Sequence, residues 1–378
     1  MPREKSRSDR PFGLSDVIVI GAIVALAVRY LSPRPPAAAK PSPPVAGHEY
    51  PPAPFQEHVH RASEPGRGRG ARYPWQIPLA GWKDILWRTY AQINEDRLLA
   101  VAAGVVFYGL LAIFPAITAF VSVYGLFTDS STVAEHLYLI SQVVPKEAFG
   151  PIEEQVQRVV AGSNSGLSIA FLVSLGLAIW SANAGMKAII DALNVAYEET
   201  EKRGFIKLTL ISLALTAGLI AAGLTAIGLI VVFPIVTSFL GVGSAAETLV
   251  SVLRWPLLFL ALLLGLGILY RFGPSRATPR WQWVSVGGLL AAFLWLAGSA
   301  ALSFYFSNFA NYSATYGSLA AGIGLMTWLW LSASVILLGA ELNSEIEHQT
   351  ARDSTTGPER PLGARGAEMA DTVGAAQG

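Results

Sequence analysis

Asn183, Lys187 and Asp191 recur at i, i+4 and i+8 in LAIWSANAGMKAIIDALNVAYEE, and Asn194 falls close to the same line at i+11. On a helix these positions share one stripe, so they can line a polar cavity or hold the Lys187 ammonium against an anionic head group. The same spacing also fits a Lys187 and Asp191 pair at the aqueous exit of a membrane helix, both side chains reaching outward. A second pattern is FYGLLAIFP, in which Pro115 removes an intrahelical hydrogen bond about two turns after Tyr108. A hinge there would expose carbonyls to a solute, although proline in a span serves packing as well. The third candidate crosses the chain: Arg271 and Glu341 each follow an apolar run and are placed to pair near one membrane surface, with head-group solvation as the alternative.

Other chemistries find no residues. The histidines are His48, His58, His60, His136 and His348, and the HxH at His58 is followed by Arg61, Ala62 and Ser63 rather than by a further ligand set. HExxH, GxSxG and Walker A patterns do not occur. With no cysteine, disulfides, thiol catalysis and Cys-ligated metals are excluded. Arg67, Arg69 and Arg72 in GRGRGAR could meet RNA or acidic lipid, and lipid is favoured beside a membrane. The expectation is a protein without enzymatic activity, cofactor, resident metal or nucleic-acid partner, acting on membrane lipids.

The elements that must position these residues are membrane helices. The 378-residue chain is 52% hydrophobic and 14% charged, with a mean hydropathy of +0.46, against roughly 45–50% apolar and about 25% charged in soluble domains. Between Arg280 and Glu341 lie 60 residues without Asp, Glu, Lys or Arg, and between Lys207 and Glu247 lie 39. One helix of the first length would stretch about 90 Å, so that run holds two spans, broken at Asn308 to Ser318. The expected fold class is all-α, a polytopic membrane protein whose six spans run at about Leu98 to Leu126, Leu167 to Ile190, Leu208 to Val232, Trp255 to Tyr270, Trp283 to Phe306 and Leu319 to Ala340. Between the first two spans, apolar spacing from Thr132 to Val160 predicts two short amphipathic helices. Before the first, Gly81 to Arg97 places Trp82, Ile85, Leu86, Tyr90 and Ile93 on one stripe, fitting a helix in the interface or one packed on a neighbouring span.

Four regions follow. Residues 1–31 hold a basic N-terminus and a short apolar run, Val17 to Val28, which suits a short anchor, a signal-peptide core or a surface helix. Residues 32–80 carry 12 of the chain's 23 prolines and read as a disordered linker. Residues 81–347 form the membrane domain and 348–378 a disordered tail. Lys83, Arg88, Arg97, Lys187, Lys202, Arg203, Lys207, Arg271, Arg276 and Arg280 all fall on one set of span ends, which predicts cytoplasmic ends for the core. Small residues in the last span, Gly317, Ala321, Gly322, Gly324, Gly339 and Ala340, permit close helix contact and would serve a homo-oligomer or internal packing equally.

Four motifs in order resemble the YihY/BrkB-like family of bacterial inner-membrane proteins: AAGVVFYGLLAIFP from Ala102, WSANAGMKAIIDALNVAYEETEKRGF from Trp180, YRFGPSRATPRWQWVSVGG from Tyr270 and YGSLAAGIGLMTWLWLSASVILLGAELN from Tyr316. The resemblance covers about Trp82 to Glu347. It implies a six-span, multi-pass inner-membrane protein with both core termini cytoplasmic. The family has carried the label ribonuclease BN, and some members are linked to serum resistance or to lipid and lipopolysaccharide movement, none of which follows from the motifs. Val106 and Gly109 stand where the family often has hydroxyl residues. The leading expectation is therefore binding or transport of an amphipathic envelope component, a phospholipid or lipopolysaccharide precursor. A scaffold recruiting partners through the linker is the alternative, and a membrane-tethered ribonuclease the least favoured reading.

Overall fold

Long helices occupy the described parts of the uncharged runs. The computed structural model describes residues 55–124, 153, 157, 169–228, 244–308 and 319–377. A short helix, α1 (Phe55–Ala62), and a 3-10 turn at Pro74–Gln76 lead into α2 (Leu79–Glu95). Six long helices follow: α3 (Leu98–Tyr124), α4 (Ile169–Ala196), α5 (Phe205–Ile227), α6 (Ser244–Phe272), α7 (Trp281–Asn308) and α8 (Leu319–His348). A final turn, α9 (Glu368–Asp371), closes the described chain. Among the described residues there is no strand, only one isolated bridge between Pro279 and Thr355.

The described part of each predicted span lies on one of these helices, while 125–126, 167–168 and 229–232 lie outside the described residues. Stretches of α5, α6, α7 and α8 are long and apolar enough to cross a membrane, and α3 contributes a shorter apolar stretch at Leu98–Ala112. The expected helices between Thr132 and Val160, apart from Glu153 and Gln157, the Asn308 to Ser318 break beyond its first residue and the segments 1–31 and 32–54 lie outside the described residues.

The helices pack in chain order, α3 on α4, α4 on α5, α5 on α6, α6 on α7 and α7 on α8, and α8 closes the ring against α3 while also touching α4. Small residues sit inside this ring: Ala102, Ala192, Ala196, Ala291, Ala292 and Ala340 are buried. Large ones point outward, among them Leu177, Leu219, Leu260, Phe293 and Phe304. That inversion of the soluble pattern is what lipid permits, because association between helices there comes from close packing rather than from hiding leucine.

Two expectations are corrected. The tail after His348 is not disordered. It folds back over α2 and the end of α8, burying Met369, Ala370 and Val373, and its backbone is held by side chains from elsewhere. Arg69 donates to Gly374 O at 2.7 Å, Arg88 to Ala375 O at 2.9 Å, and Gln377 N–H donates to Asp84 Oδ1 at 2.8 Å. The linker is likewise ordered from Phe55 onward: Ala71 and Ile77 are buried, Arg67 pairs with Asp84 at 2.6 Å, and Arg69, itself buried, pairs with Glu64 at 2.6 Å. Two of the three arginines expected to meet acidic lipid are thus spent internally. In limited trypsinolysis of the purified protein, the exposed Arg352 is expected to be cut well before Arg365, which is 4% exposed and donates to four backbone carbonyls. Equal rates at the two sites would mean that the tail is not packed.

Helix α2 divides its apolar stripe between two environments. It buries Gly81, Asp84, Ile85, Arg88 and Thr89, while Leu79, Trp87 and Tyr90 are 89%, 60% and 65% exposed. The polar side meets the tail and α8, so the apolar side is left for the membrane interface.

Candidate functional site

The stripe on α4 is split between two environments. Asn183 is buried, and its side-chain amide lies 3.5 Å from Thr216 Oγ1 of α5. One turn on, the half-buried Lys187 donates from Nζ to Thr209 Oγ1 at 3.1 Å. Its ammonium also lies 5.1 Å from the Phe205 ring centroid and 5.7 Å from that of Trp180, within cation–π range. Asp191, one further turn along, is exposed. Asn194 is buried and serves a loop instead: its Oδ1 accepts from Ser275 N–H at 2.7 Å and its Nδ2 donates to Glu201 Oε2 at 3.2 Å.

Facing Asn183 and Lys187, α5 buries Thr209, Ser212 and Thr216 at i, i+3 and i+7. Ser212 and Thr216 donate back to Thr209 O and Ser212 O, at 3.1 and 2.8 Å. Such back-bonding satisfies a hydroxyl inside a helix while leaving its lone pairs to a neighbour. The two helices therefore share a polar seam between otherwise apolar surfaces, and Lys187 stands at one end of it among exposed Trp180, Phe205, Ile206 and Leu210. The α5 half was not singled out from the sequence, although LTLISLALT carries the spacing.

The other two candidates resolve differently. Helix α3 continues through Pro115 without a break, and Gly185 of α4 packs on this segment, where an added Cβ would lie 3.1 Å from Ala112 Cβ and 3.7 Å from Tyr108 O. Tyr108 is exposed, with its ring edge-on to Phe107 at 5.3 Å. The Arg271 and Glu341 pair is not formed. The Arg271 guanidinium lies 4.7 Å from the Trp281 ring centroid, and its Nε and Nη1 have no hydrogen-bond partner; Glu341 is wholly buried and neither of its carboxyl oxygens has one. Trp281 opens α7 beside Arg271 and offers its ring face to the guanidinium, which stacks there instead of entering the fully buried surroundings of Glu341.

Around the same ends of the helices a dense ionic layer forms. Arg88 of α2 donates to Glu345 at 2.5 Å and to Gln349 Oε1 at 2.8 Å. Arg203 donates to Glu201, and with Asn194 these bonds hold the Glu201 carboxyl down at about 2. Burial opposes ionisation of Asp84, yet hydrogen bonds from Arg67 and the Gln377 N–H keep it below the usual carboxylate range. Lys202 N–H donates to Ser275 Oγ, and Arg203 to Gly273 O, tying the α4–α5 loop to the α6–α7 loop. His58 Nδ1 accepts from Val373 N–H at 3.1 Å. Among the described residues, no three His, Asp or Glu side chains are placed to hold a metal ion.

Residues 89–363 match the family model described as Virulence factor BrkB. The chain is 33% identical over 249 residues to the ribonuclease-like protein YfkH of Bacillus subtilis, covering 64% of this chain and 88% of that protein. It is 29% identical over 277 residues to a UPF0761 membrane protein of Alkalilimnicola ehrlichii, covering 71% of this chain and 60% of the relative. To a UPF0761 membrane protein of Cronobacter sakazakii it is 27% identical over 271 residues, covering 70% and 88%. No solved structure matches.

Proposed function

The chain belongs to the BrkB family and is an integral membrane protein, and from that premise we propose that it binds and moves an amphipathic, anionic envelope lipid, a phospholipid or lipopolysaccharide precursor, without enzymatic chemistry or a cofactor. The observation that carries this reading is Lys187: a half-buried cation held by a hydroxyl and two rings, at the end of a polar seam between α4 and α5. Intramembrane ionisable groups are costly, and one held at membrane depth is by default a candidate for a substrate path. An ammonium set among exposed aromatic and aliphatic side chains suits a ligand with an anionic head and apolar tails. Asn183 and Thr216 then extend the polar track away from Lys187.

The same reading places the protein in a bacterial inner membrane with the ionic layer cytoplasmic. The support is that Arg88, Arg97, Lys202, Arg203, Arg276 and Arg280 gather at the end of the bundle where α4 and α6 finish and α5 and α7 begin, as the bias of cytoplasmic loops toward Lys and Arg requires.

The test is lipid scrambling and solute flux by the purified protein in vesicles of mixed zwitterionic and anionic phospholipid. Wild type is expected to equilibrate a labelled anionic lipid between leaflets. Lys187→Ala should reduce the rate at least tenfold, Thr216→Val should reduce it less, and the exposed Asp191→Asn should leave it within twofold, all three folding normally. Equal rates with and without protein, or Lys187→Ala at the wild-type rate, would overturn the proposal and favour a scaffold in which the seam is packing.

A further inference from the structure

We propose that the Glu341 carboxyl is a proton-binding site, loaded and emptied from the aqueous end of the bundle beside α2 and the tail. It lies on α8, away from the α4–α5 seam, and does not rest on the lipid reading. Glu341 is 0% exposed and both of its carboxyl oxygens lack a hydrogen-bond partner. The cations nearby are committed elsewhere: Arg88 to Glu345 and Gln349, Arg276 to Glu347, and Arg271 to the face of Trp281. What reaches Glu341 is negative, the fields of Asp96 at the end of α2, Glu198 just past α4, and Glu345 one turn along α8.

The remaining surroundings do not change that balance. Helix α3 contains no charged residue, and α7 lies wholly within the uncharged run from 281 to 340. Tyr197 and Tyr270 are buried neutral phenols, the latter donating to Ile336 O. His348 lies 3.6 Å from Glu345. A carboxylate in this position would stand unpaired and desolvated among like charges. Binding one proton from hydronium, with release of water, removes the charge and breaks or forms no bond except O–H. A metal ion would need several ligands converging, and no such group exists among the described residues.

Two carboxyls give the site its route to water. Asp96 is partly exposed with one carboxyl oxygen buried and without a partner, and burial together with Glu95 pushes its carboxyl above the usual range. Glu198 is exposed, accepts from Gln92 at 2.5 Å, and is also pushed up, by burial first and by Glu345 and Asp96 against the opposing effect of His348. Both therefore exchange protons more readily near neutral pH than free carboxylates do.

Infrared difference spectroscopy of the full-length protein in vesicles, stepped between acid and alkaline pH in H2O and D2O, tests this. Wild type is expected to show the carbonyl-stretch band of a protonated carboxyl in an apolar site, shifted in D2O and bleached as pH rises. The band should vanish in Glu341→Gln and persist in the exposed Glu359→Gln control. Because a neutral amide replaces a neutral acid, Glu341→Gln should melt within a few degrees of wild type, and Glu341→Met gives the same spectral reading should the amide variant not fold. A band that survives both substitutions, or is absent from wild type at every pH, would overturn the proposal. Bleaching of the band by Na+ at fixed pH would overturn it in favour of a metal cation.

Discussion

Replacing Gly287 with alanine is expected to destabilise the bundle by about 3 kcal/mol or more, because its added Cβ would make the shortest contact of any described glycine. Gly287 of α7 and Gly339 of α8 bring two backbones into contact. A Cβ on Gly287 would lie 1.9 Å from Gly339 O and 2.6 Å from Asn343 Cγ, and one on Gly339 would lie 2.6 Å from both Gly287 O and the Tyr270 hydroxyl. None of these atoms is the free end of a flexible chain, so the helices must separate. Separation also strains Asn343, whose Oδ1 accepts from Gly287 N–H at 2.8 Å and whose Nδ2 donates to Val284 O at 3.2 Å. In lipid, close packing and such interhelical hydrogen bonds are what hold helices together. Thermal unfolding in detergent, followed by tryptophan fluorescence, should show a large fall for Gly287→Ala. Gly288→Ala, whose nearest neighbour is a Tyr270 ring carbon at 4.0 Å, should melt like wild type. Identical melting of the two variants would show that the crossing is looser than the structure has it.

That crossing also marks how far spacing alone can be read. Small residues in the last span predict that something approaches closely, and Gly339 does meet α7, yet Gly322 has nothing within 4 Å. Small size permits contact without naming the partner, and the adjacent pair Gly287 and Gly288 does not say which of the two meets a neighbouring backbone. The helices themselves were legible because uncharged length needs no partner to be recognised. Helix α6 is the exception: it begins at Ser244, eleven residues before the expected Trp255, because Glu247 and Arg254 interrupt the apolar run without interrupting the helix.

The direction of a face was harder. In α2 the apolar stripe is divided, with Ile85 buried beside Asp84 and Arg88 while Leu86 and Tyr90 are exposed, because which side is hidden depends on the solvent outside. In lipid the apolar face turns out, and Asp84 and Arg88 turn in to meet Arg67, Glu345 and the tail. The tail itself, rich in Gly, Pro and Ala, has too little apolar surface to order itself. Its order comes from arginines nearly 300 positions away, information that no local window carries. The α4 stripe was half legible for the same reason: Asn183 and Lys187 were visible as a period, while their partners Thr209 and Thr216 bond their own backbone or neighbours with equal ease.

Breaking the Arg276–Glu347 pair should have an effect of comparable size to the glycine change and a different signature. Arg276 Nη2 donates to both Glu347 oxygens, at 2.5 and 2.6 Å, with side chains 0% and 1% exposed. The guanidinium lies 4.9 Å from the Tyr197 ring centroid, and the Ser354 hydroxyl also donates to Glu347. Desolvating two such ions costs nearly what their attraction returns, so the pair's net worth is small, but removing one partner strands the other, at about 3–5 kcal/mol. Arg276→Met and Glu347→Met should each lower the melting temperature strongly, whereas the double variant, which leaves no buried ion, should recover most of the loss. Full additivity of the two single effects would contradict a buried, mutually dependent pair. Because Glu347 also receives Ser354, and the Ala277 and Arg280 amides beside Arg276 donate to Gly366 O and Ser354 O, this contact fastens the tail. Arg276→Met is therefore expected to open Arg365 to trypsin, and the double variant to close it again in proportion to the stability it regains.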